Sequence, residues 1–361
     1  MNLDAQKVLM VFNEVPFVAV PQVRISANIK KDINDQELFL ILSSLVAEGK
    51  IQMSMGPKGP EYSRKWNTAI DEERKQLSKD LNKRFNENTI FFPRYEGYVA
   101  NVFDNFIDNE YQVLFDAYKE LSTEYVLWHK NAKTGVVYPP KMHNLNSANV
   151  LVYNTLKAQN INVTKYAVEL DVLQPEALKD RPEEISAPKV IFDAVVEGEN
   201  TVEFIQGNFL EHYLSPFKQS LWAYQFGNRY LFADEHTINT CREIAKNTNF
   251  VCFDGVNLIK ELVAVCTEIH NNTESYKGKK VVVKNLGFGV AQESEYKNLA
   301  EYQAQYDIEA KKIEALINEE LQYLPLPEGI TLEYKYVKLE EVAETLEGSA
   351  KEYIVNRYLG F

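Results

Sequence analysis

A chain of 361 residues that is 45% hydrophobic and 12% aromatic has the material for a large core and predicts two units, a main domain with a smaller appendage. Its net charge of -13, from 39 Lys+Arg against 52 Asp+Glu, argues against broad adhesion to phosphate backbones and leaves any contact with nucleic acid to local cation clusters. No apolar run approaches the ~20 residues of a membrane span, and MNLDAQKVLMVFNEV lacks the basic flank and cleavage site of a signal peptide, so the expected place is the cytoplasm, with no membrane partner.

Residues 1–66 read as a separate unit. Val8, Leu9 and Phe12 have helical spacing, and Asp35 before ELFLILSSLVAEGK supplies an N-cap, an amphipathic helix and a glycine stop at Gly49. IQMSMGPKGPEYSRK alternates, turns at 56–60 and alternates again, which predicts a hairpin. Two helices and a basic-tipped hairpin resemble a winged helix, with Lys58, Arg64 and Lys65 on or near the wing as DNA contacts. The alternative is a small structural cap with solvated charges.

From Trp66 to Asn88 the charged DEERKQLSKDLNKRF predicts a bridging helix within a helical linker region, 67–142, and an aromatic-rich helix follows over 111–129. Gly135 marks a turn, Pro139-Pro140 an extended pair, and Asn146 or Ser147 the cap of a further helix.

Beyond about Asn162, YAVELDVL, KVIFDAVVEG and TVEFIQGNFL read as strands, 213–230 and 236–247 as helices, NFVCFDG as a strand and 256–270 as a helix. KGKKVVVKN precedes a long helix over 295–321, the strand ITLEYKYVKL and two short terminal helices. Antiparallel strands feeding a helix and a further strand imply an α/β fold with a mixed sheet. There is no internal repeat.

The hairpin of residues 189–213 carries the chemistry: Asp193 lies on its first strand, and Gln206 and Asn208, two apart and so on one face, lie on its second. A divalent-metal phosphodiesterase needs carboxylate oxygens and a cation beside the attacking water, and such a hairpin places Asp on one strand and Glu-x-Lys on the next. The order of elements over roughly 143–265, including HNLNSANVLVYN before the sheet, resembles the PD-(D/E)XK nuclease superfamily, the restriction-endonuclease-like fold, whose second strand reads like FIEAKFLE where this chain has FIQGNFLE.

The resemblance implies a restriction-endonuclease-like domain over 143–361, with Asp193 as first carboxylate, Gln206 on the glutamate position and Asn208 on the lysine position. A second register takes Glu203 as the other carboxylate, with Ile205 on the lysine position, while Glu169, Asp171 and Glu211 are nearby acids and Lys189 and Lys218 nearby cations. The implied metal, Mg²⁺ or Mn²⁺, would be held by Asp193, Glu203 and Gln206. The implied activity is cleavage of double-stranded DNA of the restriction or phage-defence kind, by a homodimer with one site per strand, or retention of the DNA-binding shape without the chemistry. The competing reading is a non-catalytic DNA-binding or scaffold protein that uses the winged helix.

Other candidates carry less. Lys277, Lys279 and Lys280 have the composition of a phosphate-contact loop or of a solvated turn, His143 precedes a helix cap, His212 follows the motif strand, and the GFG of 287–289 lacks dinucleotide-site spacing. Cys241, Cys252 and Cys266 show no CxxC spacing and read as buried thiols.

Overall fold

The computed structural model describes Ala5, Val8, Val11, Phe12, 20–22, Ile25, 33–57, 59–64, 67–85, 88–95, 97–132, 134–172, 189–213, 255–322 and 326–361. It is a mixed α/β protein.

Ala5, Val8, Val11 and Phe12 are helical, and Val8 and Phe12 are fully buried. The two-residue strand β1 (Val20–Pro21) is followed by helix α1 (Asp35–Ala47), and then by β2 (Ile51–Gly56) and β3 (Gly59–Arg64) in a sheet ordered β1-β3-β2. The cap of α1 is Asn34, one residue before the expected Asp35. The Asn34 Oδ1 accepts from Gln36 N and Glu37 N, and Glu37 Oε2 accepts in return from Asn34 N, a reciprocal arrangement that Asp35 lacks. Gly49 ends the helical segment at φ +71°, in the left-handed region open to glycine. Leu38, Leu42, Leu45, Ile51 and Tyr62 bury one small core between α1 and the hairpin.

Helix α2 (Thr68–Leu81) is shorter than the charged run suggested, because Asn67 caps it and 82–84 tightens into a 3-10 turn. Its apolar stripe, Ile70, Leu77 and Leu81, enters the main core, so this stretch packs on the sheet domain. Helix α3 (Gln112–Leu121) likewise stops early, at Ser122, whose extended backbone leads into a 3-10 turn at Thr123–Tyr125. The short ribbon β4 (His129–Lys130) and β5 (Val137–Tyr138) follows, and then helix α4 (Ala148–Ala158), which has Ser147 at its N-cap position as expected.

The main sheet is built from β6 (Lys165–Asp171), β7 (Lys189–Glu197), β8 (Thr201–Asn208), β9 (Lys280–Gly287) and β10 (Thr331–Lys338), in the order β10-β9-β8-β7-β6. Between β8 and β9 lie α5 (Gly255–Asn271) and the single turn α6 (Thr273–Tyr276). The long α7 (Lys297–Leu321) precedes β10, and α8 (Leu339–Thr345) and α9 (Gly348–Tyr358) close the chain. The pairs β6–β7 and β7–β8 are antiparallel, and β8–β9 and β9–β10 are parallel. The helices and strand expected over 213–254 lie outside the described residues.

β8 buries Val202 and Phe204 on one face and Ile205 and Gly207 on the other, as a strand covered on both sides must. Helix α4 packs on β7 and β8, and α5 on β6, β7 and β9. A third cluster, Tyr111, Leu114 and Tyr118 of the α3 segment with Val150 and Tyr153 of α4, covers the β6 side of the sheet. The C-terminal helix is anchored by Arg357, whose guanidinium lies 4.1 Å from the Phe85 ring and donates to Asn105 Oδ1 at 3.1 Å.

The start of α7 is held by α2: Glu73 accepts from Leu299 N at 2.9 Å and from Asn298 Nδ2 at 2.6 Å. A carboxylate at a helix N-terminus satisfies an orphan donor and meets the positive end of the dipole. Glu73→Ala is therefore expected to lower stability by about 1 kcal/mol in urea unfolding, and Glu73→Gln by less than half of that.

Candidate functional site

The expected hairpin forms. The β7–β8 ladder runs from Glu197↔Val202 to Ala194↔Ile205, so Asp193 and Gln206 occupy the next opposed positions. On the other side, Ala167 of β6 falls opposite Asp193, between the pairs Tyr166↔Ala194 and Val168↔Phe192. Ala167 has φ +54°, strained for a residue with a Cβ. Tyr166 and Ala167, adjacent in sequence, both pack on the Tyr118–Tyr153 cluster, which breaks the two-residue alternation of the strand. The regular β6–β7 pairing is interrupted at Ala167, opposite Asp193.

The carboxylate of Asp193 is 2% exposed. Its Oδ1 accepts from the Tyr118 hydroxyl at 2.8 Å and from Asn149 Nδ2 at 2.5 Å. Its Oδ2 accepts from Gly207 N at 2.7 Å and from Gln206 Nε2 at 3.3 Å. Asn149 also donates to the Tyr118 oxygen. Four donors fill the roughly four lone-pair positions of a carboxylate. Burial nevertheless outweighs the Gly207, Tyr118 and Asn149 hydrogen bonds and raises the Asp193 pKa from 3.8 to about 6. Burial, and then the Asp193 charge, push the Tyr118 phenol far up.

Gly207 is what permits this packing. A Cβ there would stand 2.6 Å from Val152 Cγ2 and 2.9 Å from Ala148 O, both on α4. The strand thus approaches the helix closely, and Asn149 of that helix reaches Asp193. Around the knot, the Tyr125 ring lies 4.5 Å from Tyr118, and the Lys141 ammonium lies 4.8 Å from the Tyr125 ring while pairing with Glu124. Tyr118, Tyr125, Asn149 and Lys141 were not among the residues singled out from sequence. Their signal, an aromatic helix and an Asn in the first turn of the capped helix, is indistinguishable from core packing until the strands are placed.

Of the remaining candidates, Glu211 comes near enough for the Asp193 charge to act on it, and the others lie elsewhere. Glu203 pairs with Val196, three residues and about 10 Å along the strand, and its carboxylate is tied to Lys284. Lys189 is held by Glu169 and lies 3.9 Å from Asp171, so these three form an ion-pair group of their own. Asn208 ends β8 opposite Gly287, and its carbonyl accepts from Phe288 N at 2.9 Å. Glu211 accepts from Phe209 N at 2.7 Å in the turn after β8, and desolvation, with the Asp193 charge adding to it, raises its pKa. His143 is half-buried, with Nδ1 2.8 Å from Val99 O, and burial lowers its pKa. Cys266 is buried and its thiol is pushed up to about 12.

The lysines of 277–280 belong to the other end of the sheet. Lys280 pairs with Thr201, at the far end of β8 from Asn208, roughly 23 Å away for seven strand residues. Lys280 is paired with Glu333, and Lys279 lies 3.9 Å from Glu197. Lys277 caps α6 and is exposed. Arg64 ends β3, and Lys58, Lys65, Lys218, Cys241, Cys252 and the His212 side chain lie outside the described residues.

Mg²⁺ takes carboxylate oxygens at about 2.0–2.1 Å in an octahedral shell. The residues here do not fit one: both oxygens of Asp193 are engaged by donors, Gln206 turns its amide nitrogen to them, and no three His, Cys, Asp or Glu residues gather among the described residues. No helix of the described residues is long and apolar enough to cross a membrane. No protein-family model, no curated protein and no solved structure matches this chain.

Two outcomes are expected. Between pH 4 and 6 the folded state binds the Asp193 proton more tightly than the unfolded chain, so unfolding releases it and this residue's contribution to stability falls as pH rises through that window, then stays level. The stability of the protein relative to Asp193→Asn should drop by about 3 kcal/mol from pH 4 to 7, and a carboxyl carbon resonance that the variant lacks should titrate near 6. Gly207→Ala should cost about 1–3 kcal/mol through overpacking against α4, read by thermal unfolding, and should shift that titration.

Proposed function

We propose that the protein binds double-stranded DNA on a scaffold of the PD-(D/E)XK kind whose catalytic position is closed. The observation that carries this reading is the order of elements around Asp193: helix α4, the antiparallel β6–β7–β8, helix α5 and the parallel β9, with Asp193 and Gln206 in contact across the second and third strands. That is the layout the resemblance of FDAVVEGENTVEFIQGNFLE implies.

Hydrolysis is the weaker half of the resemblance. Metal-assisted attack needs an anionic pair and a cation at the water, whereas this chain offers one buried carboxylate, two amides and no lysine at the matching positions. Asp193, Gln206 and Asn208 then keep the strand pair and α4 in register instead of holding Mg²⁺ or Mn²⁺. Duplex contact falls to the N-terminal module, where α1 and the β2–β3 hairpin give a helix and a wing, with Lys58, Arg64 and Lys65 as phosphate contacts. A homodimer would match the two-fold relation of the strands.

Mobility-shift titrations at several salt concentrations test the binding. Duplex affinity should fall with salt, and alanine at Lys58, Arg64 and Lys65 together should flatten the slope of log K against log salt by roughly three. The unmodified chain should leave supercoiled plasmid intact with Mg²⁺ or Mn²⁺, while Gln206→Glu with Asn208→Lys should bind Mn²⁺ at least tenfold more tightly and nick it. Nicking by the unmodified chain overturns the closed site, and absence of duplex binding at low salt overturns the DNA reading.

A further inference from the structure

From Tyr125 to Val168 the sequence contains no Asp or Glu and five lysines, in a chain with 52 acids. That stretch carries the β4–β5 ribbon, helix α4 and Asn149, and so continues into the Asp193 knot. Lys141 and Lys157 are taken up by Glu124 and by Glu110. Lys130, on β4, is exposed.

The ribbon and the residues before it present large apolar side chains to solvent. Leu127 and Trp128 are 54% and 51% exposed, and Val136 and Val137 are each 43% exposed. Trp128 is braced from behind, with edge contacts to Phe92 at 5.3 Å and to Tyr95 at 5.7 Å. Tyr95 leans on Tyr138 at 6.1 Å, and its hydroxyl donates to Val137 O at 2.5 Å. His129 stacks on Tyr138 at 5.9 Å. Arg94, also exposed, sits between the two residues that brace the indole.

A rigid, half-exposed indole flanked by Arg94 and Lys130, in the acid-poor part of an acidic chain, has the make-up of a stacking platform. Aromatic faces take unpaired bases while nearby cations take the phosphates between them. We infer that Trp128 and the β4–β5 ribbon bind unpaired nucleotides of DNA, with Arg94 and Lys130 on the adjoining phosphates. This inference rests on the DNA reading above and deepens it: the N-terminal module meets paired DNA, and the ribbon meets bases freed from the stack. A neutral protein partner would need no cations here, and an acidic one would use them without a base to stack on Trp128.

Tryptophan fluorescence and anisotropy with an oligothymidylate of about 20 nucleotides test it, using the full chain, Trp128→Ala, Trp128→Phe and Arg94→Glu with Lys130→Glu. The oligonucleotide should quench the emission of the full chain, and Trp128→Ala should lose the quenching and roughly tenfold in affinity. Trp128→Phe should keep most of the affinity, and the charge reversals should lose it together with the salt dependence. Unchanged affinity in Trp128→Ala, with its circular dichroism unaltered, overturns the inference, and so does a change in self-association alone, which would assign the face to a second copy of the chain. Duplex binding is measured in parallel. Loss of duplex binding with Trp128-dependent oligothymidylate binding retained overturns only the duplex reading, and binding of neither overturns both.

Discussion

A carboxylate at the centre of a protein must be neutralised or surrounded by donors, and in this chain Asp193 draws four donors from three separate elements. An isolated buried charge costs far more than a single hydrogen bond returns. Asp193 is therefore stable only where β8 offers the Gly207 amide, α3 offers Tyr118, α4 offers Asn149 and β8 again offers Gln206. Each donor fixes the position of the element that carries it. The close approach of α4 to β8, the absence of a side chain at Gly207 and the strained backbone at Ala167 across the strand pair all follow from one group that water does not reach.

The sheet gives its two ends different chemistry. At the start of β8, Thr201 and Lys280 lie side by side, and the neighbouring lysines are balanced by Glu197 and Glu333, so that end is a field of surface ion pairs of small energetic weight. At the other end, Gln206, Asn208 and Asn285 of the parallel strands present amides, and the charged groups beside them are buried or drawn into helices. Glu261 of α5 accepts from Asn285, and Asp307 of α7 holds Lys338. Parallel strands commonly offer their carboxyl ends to ligands. Here the strand ends themselves carry amides, and the charged side chains beside them are engaged with one another or with those amides.

Much of the architecture was legible in the sequence because it depends on local patterns. The period-two runs of Lys189–Glu197 and Thr201–Asn208, the Gly198–Asn200 turn between them and the glycine stop at Gly49 act within a few residues. The limits of α2 and α3 were not legible, since Asn67 and Ser122 end those helices through caps and extended backbone that compete with continuous helical patterns on either side. The membership of the site was half legible. Asp193 and Gln206 could be paired from the hairpin alone, but Tyr118 and Asn149 arrive from 75 and 44 residues away in sequence, and no short-range pattern announces a contact of that kind. The lysines of 277–280 are the converse case: composition suggests a phosphate loop, and only the register of β8 and β9 shows that they stand at the opposite end of the sheet from Asn208.

The amides at 206 and 208 and the burial of Asp193 go together physically. A glutamate at 206 would stand beside a carboxylate that already titrates near 6, and two anions so close raise each other's pKa and favour opening to water or to a cation. A lysine at 208 would supply a positive charge but would itself need hydration on a strand whose neighbours Phe209 and Leu210 are buried. Neutral amides remove both pressures. Gln206 can then donate to Asp193 without adding charge, α4 can settle on Gly207, and Asn149 and Tyr118 can close over the carboxylate. A substitution of charge for amide at one position alone leaves either an unpaired anion or an unpaired cation against this packing, so each single change strains the closed arrangement, whereas the two together supply charges that can offset one another.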